Sequence, residues 1–293
     1  MSDTRVPSRV FRRADQDAET ARTSGHDTPQ TAHPAYRLAF QDMEFLLRED
    51  LRPVRFQLEL LKPTLLLDEA NIASLFVFYG SARIPEPAKA EAMLELADTP
   101  ESRRIAERLV AKSKYYDVAR ELARTASCFA RDADGKRHFV VCSGGGPSIM
   151  EAANRGAADA GCESVGLNIV LPHEQAPNEY VTPSLSFQFH YFALRKMHFL
   201  LRARAVAVFP GGFGTFDESF ELLTLIQTGK IEPMPVLFYG REFWERVVNF
   251  EALCEEGVIS PRDLKLFHFV ETAEEGWEIV RDFYRERDDA PLE

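Results

Sequence analysis

Two stretches of this chain place small residues where a phosphate could be held. Gly144-Gly145-Gly146-Pro147-Ser148 and Pro210-Gly211-Gly212-Phe213-Gly214-Thr215 each lie between a short apolar run and an amphipathic segment. Glycines at such a junction let the backbone turn with positive φ and let a ligand approach its N–H groups, while the helix that follows adds partial positive charge. A third run also ends in small residues, Gly80-Ser81. Strand-to-helix turns use glycine in any case, so one such turn says little; repetition at three strand ends favours an anion site.

Neither glycine turn is one of the commoner nucleotide fingerprints. The first is a triple glycine rather than G-x-G-x-x-G, and no G-x-x-x-x-G-K-[ST] occurs, which disfavours a NAD dehydrogenase and a P-loop NTPase. Each turn leads to a carboxylate at the spacing of a capping box, Ser148 with Glu151 and Thr215 with Glu218. On spacing alone that structural reading stands beside the functional one. For the second turn, the preceding Pro-Gly-Gly-Phe-Gly places Glu218 in the first helical turn beside a phosphate-sized concavity, where the helix dipole is expected to keep it ionised. The basic pair Arg195-Lys196 precedes this turn on a helix and is either a solvated face or a ligand contact. His173, His190 and His198 lack metal-ligand spacing, and no G-x-S-x-G elbow is present, so neither a metal site nor an acyl-transfer serine is expected.

The elements that must position these residues follow from the apolar pattern. Short buried-type runs at 74–79, 138–142, 164–170, 205–209, 235–239 and 266–270 alternate with helical stretches at 101–131, 148–160, 191–202, 215–228, 242–256 and 274–285. Near-continuous apolar strands separated by helices predict an α/β fold, a Rossmann-like doubly wound parallel sheet. Ligands of such sheets bind at the carboxyl ends of the strands. Residues 1–35 carry few large apolar groups and are expected to form a disordered tail; 36–72 read as a helical N-terminal extension, 73–287 as the nucleotide-binding domain and 288–293 as a C-terminal tail.

Composition narrows the class further. The net charge of −11, from 35 basic and 46 acidic side chains, opposes non-specific binding of nucleic acid but leaves room for a small anion inside a cleft. Four scattered cysteines, Cys128, Cys142, Cys162 and Cys254, indicate neither a zinc site nor a disulfide framework. No apolar stretch approaches the length of a membrane span, and the expected location is cytoplasmic.

Gly144-Gly145-Gly146-Pro147-Ser148-Ile149-Met150-Glu151-Ala152, Arg195-Lys196 and Pro210-Gly211-Gly212-Phe213-Gly214-Thr215-Phe216-Asp217-Glu218 together resemble the Lonely Guy family of cytokinin riboside monophosphate phosphoribohydrolases, whose members are often mislabelled as lysine decarboxylases. The resemblance covers roughly residues 74–284 and implies a Rossmann-like fold, a nucleoside monophosphate substrate, no cofactor and a homodimer or larger homo-oligomer. It implies Arg195 and Glu218 as the catalytic pair. Substrate contacts are expected from Gly211, Gly212, Phe213, Gly214 and Thr215 around the phosphate, with Ser81, Gly144, Gly145, Gly146, Lys196, Asp217 and Glu174 lining the rest. Plant-like members carry D-M-H-x-R-K where this chain has Tyr191-Phe192-Ala193-Leu194-Arg195-Lys196, and together with the N-terminal extension this points to the longer bacterial branch. No pyridoxal phosphate signature is found.

Overall fold

The computed structural model describes residues 11–23, 27–128, 135–172 and 176–287. Glu174 and the segment 288–293 lie outside these, as do parts of the predicted tail. Among the described residues four helices come first: α1 (Ala14–Thr23), α2 (Pro29–Ala32), α3 (Met43–Leu46) and α4 (Arg52–Glu69). Then follow β1 (Leu75–Tyr79), α5 (Pro87–Glu95), α6 (Pro100–Ser127), β2 (Val140–Ser143), α7 (Ile149–Asp159) and β3 (Val165–Ile169). Next are β4 (Ser186–Phe189), α8 (Phe192–Leu201), β5 (Ala203–Val208), α9 (Phe213–Gln227) and β6 (Val236–Tyr239). The chain closes with α10 (Arg241–Val247), α11 (Phe250–Glu255), β7 (His268–Val270) and α12 (Ala273–Arg285).

The chain divides into two compact units, 1–58 and 59–293, with the division inside α4. In the first unit, α1, α2 and α3 bury no residue.

In the second unit one all-parallel sheet runs in the order β4-β3-β2-β1-β5-β6-β7. The strands step outward from β1 to β4, then the chain returns to the other side of β1 as β5. The crevice beyond the carboxyl ends of β1 and β5 is therefore the topological switch point, where such sheets take ligands. β1, β2, β3 and β6 are buried at every position, which is why they read as near-continuous apolar runs, interrupted only by the buried Ser143 in β2 and by Gly166 and Asn168 in β3. Alternation of side chains splits each strand between two layers. Phe76, Phe78, Val141, Ala207, Phe209 and Leu237 pack with α6, α7 and α12 on one face. Val77 and Tyr79 of β1 therefore face the other way, toward the layer that holds α8 and α9.

Several elements differ from the sequence expectation, among them α1 and α2, which are helices within the span 1–35 expected to be a disordered tail. β4 was absent from that expectation, because its burial alternates and Ser186 and Gln188 break the apolar run; β4 is an edge strand, paired only with β3 in the sheet. Helix α5 was also absent. The single helix expected over 242–256 is two, because Asn249 caps a new start by accepting from Ala252 N–H at 3.0 Å.

Candidate active site

The ends of β1, β2 and β5 meet in one rim. Ser81 N–H donates to the Pro210 carbonyl at 3.2 Å, and the Ser81 carbonyl accepts from Ile149 N–H at 3.4 Å. The loop after β1 thus ties the loop after β5 to the start of α7. The Ser81 hydroxyl itself accepts from Arg83 N–H at 3.0 Å.

The two glycine turns lack side chains for different reasons. At Gly144 a Cβ would stand 2.6 Å from Arg195 Nη2, at Gly146 2.7 Å from Met150 Cε, and Gly145 has φ +72° with the Asn168 amide against it. All three are buried. Neighbouring side chains already occupy the space, and packing accounts for these glycines. A polar network holds them: the Ser143 hydroxyl accepts from Gly145 N–H at 3.0 Å and donates to Asn154 Oδ1 at 2.7 Å, while Asn178 Nδ2 donates to the Gly146 carbonyl at 2.9 Å. Ser148, which begins α7, has φ +63°, a strained value for a residue with a Cβ.

In the second turn, Gly211 is also a packing residue, since a Cβ there would meet Thr215 Oγ1 at 2.1 Å. Gly212 and Gly214 are different. A Cβ at either position meets nothing within 4 Å among the described residues, and neither has positive φ. Phe213 between them is 97% exposed, whereas Thr215 is buried.

Neither capping box forms. Helix α9 begins at Phe213 with Gly212 as its N-cap, so Thr215 is the third helical residue and no side chain caps the end. Ser148 is the N-cap of α7 but its hydroxyl donates to the Ala82 carbonyl at 3.0 Å instead, and Glu151 accepts from the Tyr116 hydroxyl at 2.8 Å. The earlier start of α9 also corrects the placement of Glu218, which lies in the second helical turn, not the first.

That second turn brings Glu218 to Arg195. Arg195 Nη1 and Glu218 Oε1 are 3.5 Å apart, with only 12% and 14% of the two side chains exposed. The guanidinium is fixed on three sides. Its Nε donates to the Leu167 carbonyl at 2.7 Å, it lies 5.1 Å above the Phe199 ring, and Nη2 rests against Gly144. Lys196, one residue on, turns to α9 and bridges Asp217 and Glu221, each at 2.9 Å. Burial works to lower its pKa, but the two carboxylates outweigh it and Lys196 is held as the ammonium.

The expectation that the helix dipole keeps Glu218 ionised gives way to burial. Desolvation raises its pKa, Arg195 lowers it, and the balance stands at about 7. A full charge removed from water loses more than a helix end returns. The sheet supplies two neighbours the sequence reading missed. The Tyr79 phenol and Cys142 thiol are both buried, are raised in pKa first by burial, and both feel the charges of Glu218 and Arg195. Both face this layer by strand alternation and are kept protonated at neutral pH. Tyr79 also meets the Phe199 ring edge-on at 5.2 Å. The only sequence signal for them was position at a strand's carboxyl end.

The structure thus joins Arg195 to Glu218 and Gly144, Lys196 to Asp217, and Ser81 to Pro210. No group of three or more potential metal-ligating side chains is found among the described residues, nor a helix long and apolar enough to cross a membrane.

A doubly wound parallel sheet with glycine turns and a buried Arg–Glu pair at its switch point is a Rossmann-like α/β architecture. Comparison with known proteins then places it more narrowly. The family model described as "Possible lysine decarboxylase" matches residues 150–280. Over 182 residues the chain is 26% identical to a cytokinin riboside 5′-monophosphate phosphoribohydrolase of Arabidopsis thaliana, covering 61% of this chain and 80% of that protein. A probable enzyme of the same name from Oryza sativa subsp. japonica is 28% identical over 171 residues, 56% of this chain and 74% of that one. Among solved structures, a structural-genomics target aligns with TM-score 0.45 at 23% identity, covering 71% of this chain and 99% of its own. The Moco carrier protein of Chlamydomonas reinhardtii aligns with TM-score 0.42 at 17% identity, covering 73% of this chain and 98% of its own. Over these spans the chain is similar to phosphoribohydrolases of the Lonely Guy family.

Proposed function

We propose that this protein hydrolyses the N-glycosidic bond of a nucleoside 5′-monophosphate, AMP or an N6-modified AMP, to free base and ribose 5-phosphate. The observation that carries the reading is the buried Arg195–Glu218 pair, standing one helical turn behind an uncapped, glycine-lined helix start. Gly212 and Gly214 are required neither by packing nor by positive φ. At Gly214, within the first turn of α9, glycine in place of alanine costs a helix about 0.5–1 kcal/mol, so a function for the open space above it accounts for what stability does not, whereas glycine at Gly212 also suits the N-cap. A phosphate fits there. The orphan N–H groups of the first turn of α9 point to it, and the helix dipole favours its charge.

With the phosphate so anchored, the ribose lies toward Glu218, and the anchor pre-orders the reacting carbon. Breaking the base–sugar bond develops positive charge on the ribose ring. The Glu218 carboxylate stabilises that charge and takes a proton from the attacking water, whose oxygen bonds to C1′; the departing base receives a proton in turn. A pKa of about 7 suits a group that must both take and release a proton at neutral pH. Arg195 supports the ionised form and restrains the carboxylate. The relatives named as phosphoribohydrolases support the same reaction class.

A panel of nucleoside 5′-monophosphates, with the matching unphosphorylated nucleosides as controls, tests this by release of base and ribose 5-phosphate. Turnover should require the phosphate and fall at least a hundredfold in Glu218→Gln. Tight nucleotide binding without release of base would instead make the protein a nucleotide sensor.

A further inference from the structure

Helix α8 carries both Arg195 and Lys196, yet its start is held from outside. His190 and Tyr191, the two residues before Phe192, donate their backbone N–H groups to one carboxylate, that of Glu59: His190 to Oε1 at 2.9 Å and Tyr191 to Oε2 at 3.2 Å. Glu59 lies on α4, 131 residues before His190 in sequence. Helix starts are ordinarily capped by a short polar side chain of their own segment. Here a charged group from another helix does so, in a two-toothed grip that fixes direction as well as distance.

The same stretch of chain secures the rest of α8. The Glu59 carbonyl lies 3.1 Å from Nε2 of His198, which is buried on α8. At the far end, Arg202 donates to the carbonyls of Thr64 at 3.1 Å and Ile72 at 2.5 Å and pairs with Asp68 at 2.7 Å. From its N-cap, Tyr191, to its C-cap, Arg202, α8 is attached to the segment 59–72.

Tyr191 is where this attachment meets the site. Its carbonyl accepts from Arg195 N–H at 3.1 Å, so Tyr191 and Arg195 are joined across the first turn of α8. The Arg195 side chain then reaches the Leu167 carbonyl and Glu218. One unbroken path of polar contacts leads from Glu59 through Tyr191 and Arg195 to Glu218.

We propose that Glu59 is a positioning residue for Arg195: its grip on the His190 and Tyr191 N–H groups sets where α8 begins and therefore where the guanidinium stands against Glu218. Its consequence for turnover rests on the reading of Arg195 and Glu218 given above; its consequence for Glu218 does not.

The test uses the full chain with Glu59→Ala and Glu59→Gln. Glu218 is titrated by carboxylate carbon NMR, with its signal assigned from Glu218→Gln. Groups bearing on it are Arg195 and Lys196 from α8, Asp217 and Glu221 from α9, Tyr79 from β1 and Cys142 from β2. Among these only Arg195 is joined to Glu59 through Tyr191. When the grip is lost Arg195 withdraws, and the Glu218 midpoint rises by about half a unit or more, roughly threefold in its protonation constant. Glu59→Gln, whose amide oxygen still accepts one N–H, gives a smaller rise. In the base-release assay kcat falls roughly tenfold in Glu59→Ala, with less change in KM. A Glu218 midpoint unmoved in folded Glu59→Ala, whatever happens to the melting temperature, overturns the proposal and leaves Glu59 a structural cap. Should Glu59→Ala not fold, an unmoved midpoint in Glu59→Gln does the same. If the wild type releases no base, the reaction reading fails alone and the titration still decides for or against Glu59.

Discussion

Replacing Arg195 by methionine keeps a flexible, unbranched stem and removes the charge, and the geometry gives the size of the effect. The guanidinium stands 3.5 Å from the Glu218 carboxylate, and both side chains are mostly buried. Coulomb attraction at that distance is about 1 kcal/mol with the dielectric of water and about 5 kcal/mol at an effective value near 20. Even the lower figure is close to one pKa unit. Glu218, already lifted to about 7 by burial, would titrate at about 8 or higher once the opposing charge is gone. At pH 7 the ionised fraction would drop from about one half to about one tenth, a loss of about fivefold from this cause alone. The check is the pH dependence of kcat/KM for base release. In Arg195→Met the acidic limb should move up by one unit or more, and part of the lost rate should return above pH 8. The midpoint of Glu218 in a carbon NMR titration should move with it. If the limb stays near pH 7 in the variant, Arg195 does not govern the charge on Glu218, and the account of the pair as one unit is wrong.

The same burial makes a stability prediction of opposite sense to activity. The folded state binds the Glu218 proton up to about pH 7, whereas an unburied glutamate releases it near 4.5, so the folded state loses stability as pH rises through that window, by ~3 kcal/mol when complete. Glu218→Gln removes this penalty: chemical denaturation at pH 8 should show a variant about 3 kcal/mol more stable than wild type, with the advantage gone at pH 4.5, and equal stability at both pH values would refute it. Gly214→Ala separates phosphate binding from folding. A Cβ there has no clash and a better helix propensity, so the melting temperature should hold or rise while KM for the nucleotide increases tenfold or more; an unchanged KM would remove the phosphate from this turn.

Much of this protein could be read in one dimension. Strands buried on both faces are near-continuous apolar runs, so β1, β2, β3 and β6 announced themselves, and with intervening helices they implied a doubly wound sheet. The glycine turns and the side chains Arg195 and Glu218 were equally legible, because a strand-to-helix turn and a charged pair are local statements about residue type. Strand β4 was not legible, since an edge strand half exposed to water has no need of an apolar run.

How those residues stand to one another was fixed in three dimensions alone. Spacing left the S/T-x-x-E pairs open between cap and site; the start of α9 at Phe213 excludes the cap for Thr215, and the bonds of Ser148 to Ala82 and of Glu151 to Tyr116 exclude it for the other pair. The protonation of Glu218 depends on desolvation and on charges brought in by other elements, chiefly Arg195, with the pKa as the sum. The two glycine turns look alike in sequence, but the first is filled by Arg195, Met150 and Asn168, whereas the second is filled by Thr215 at Gly211 and open at Gly212 and Gly214. The cap on α8 comes from Glu59, 131 residues before His190. Burial, electrostatic field and packing are sums over everything nearby in space. A sequence names the groups in such a sum, and the fold decides which of them are near.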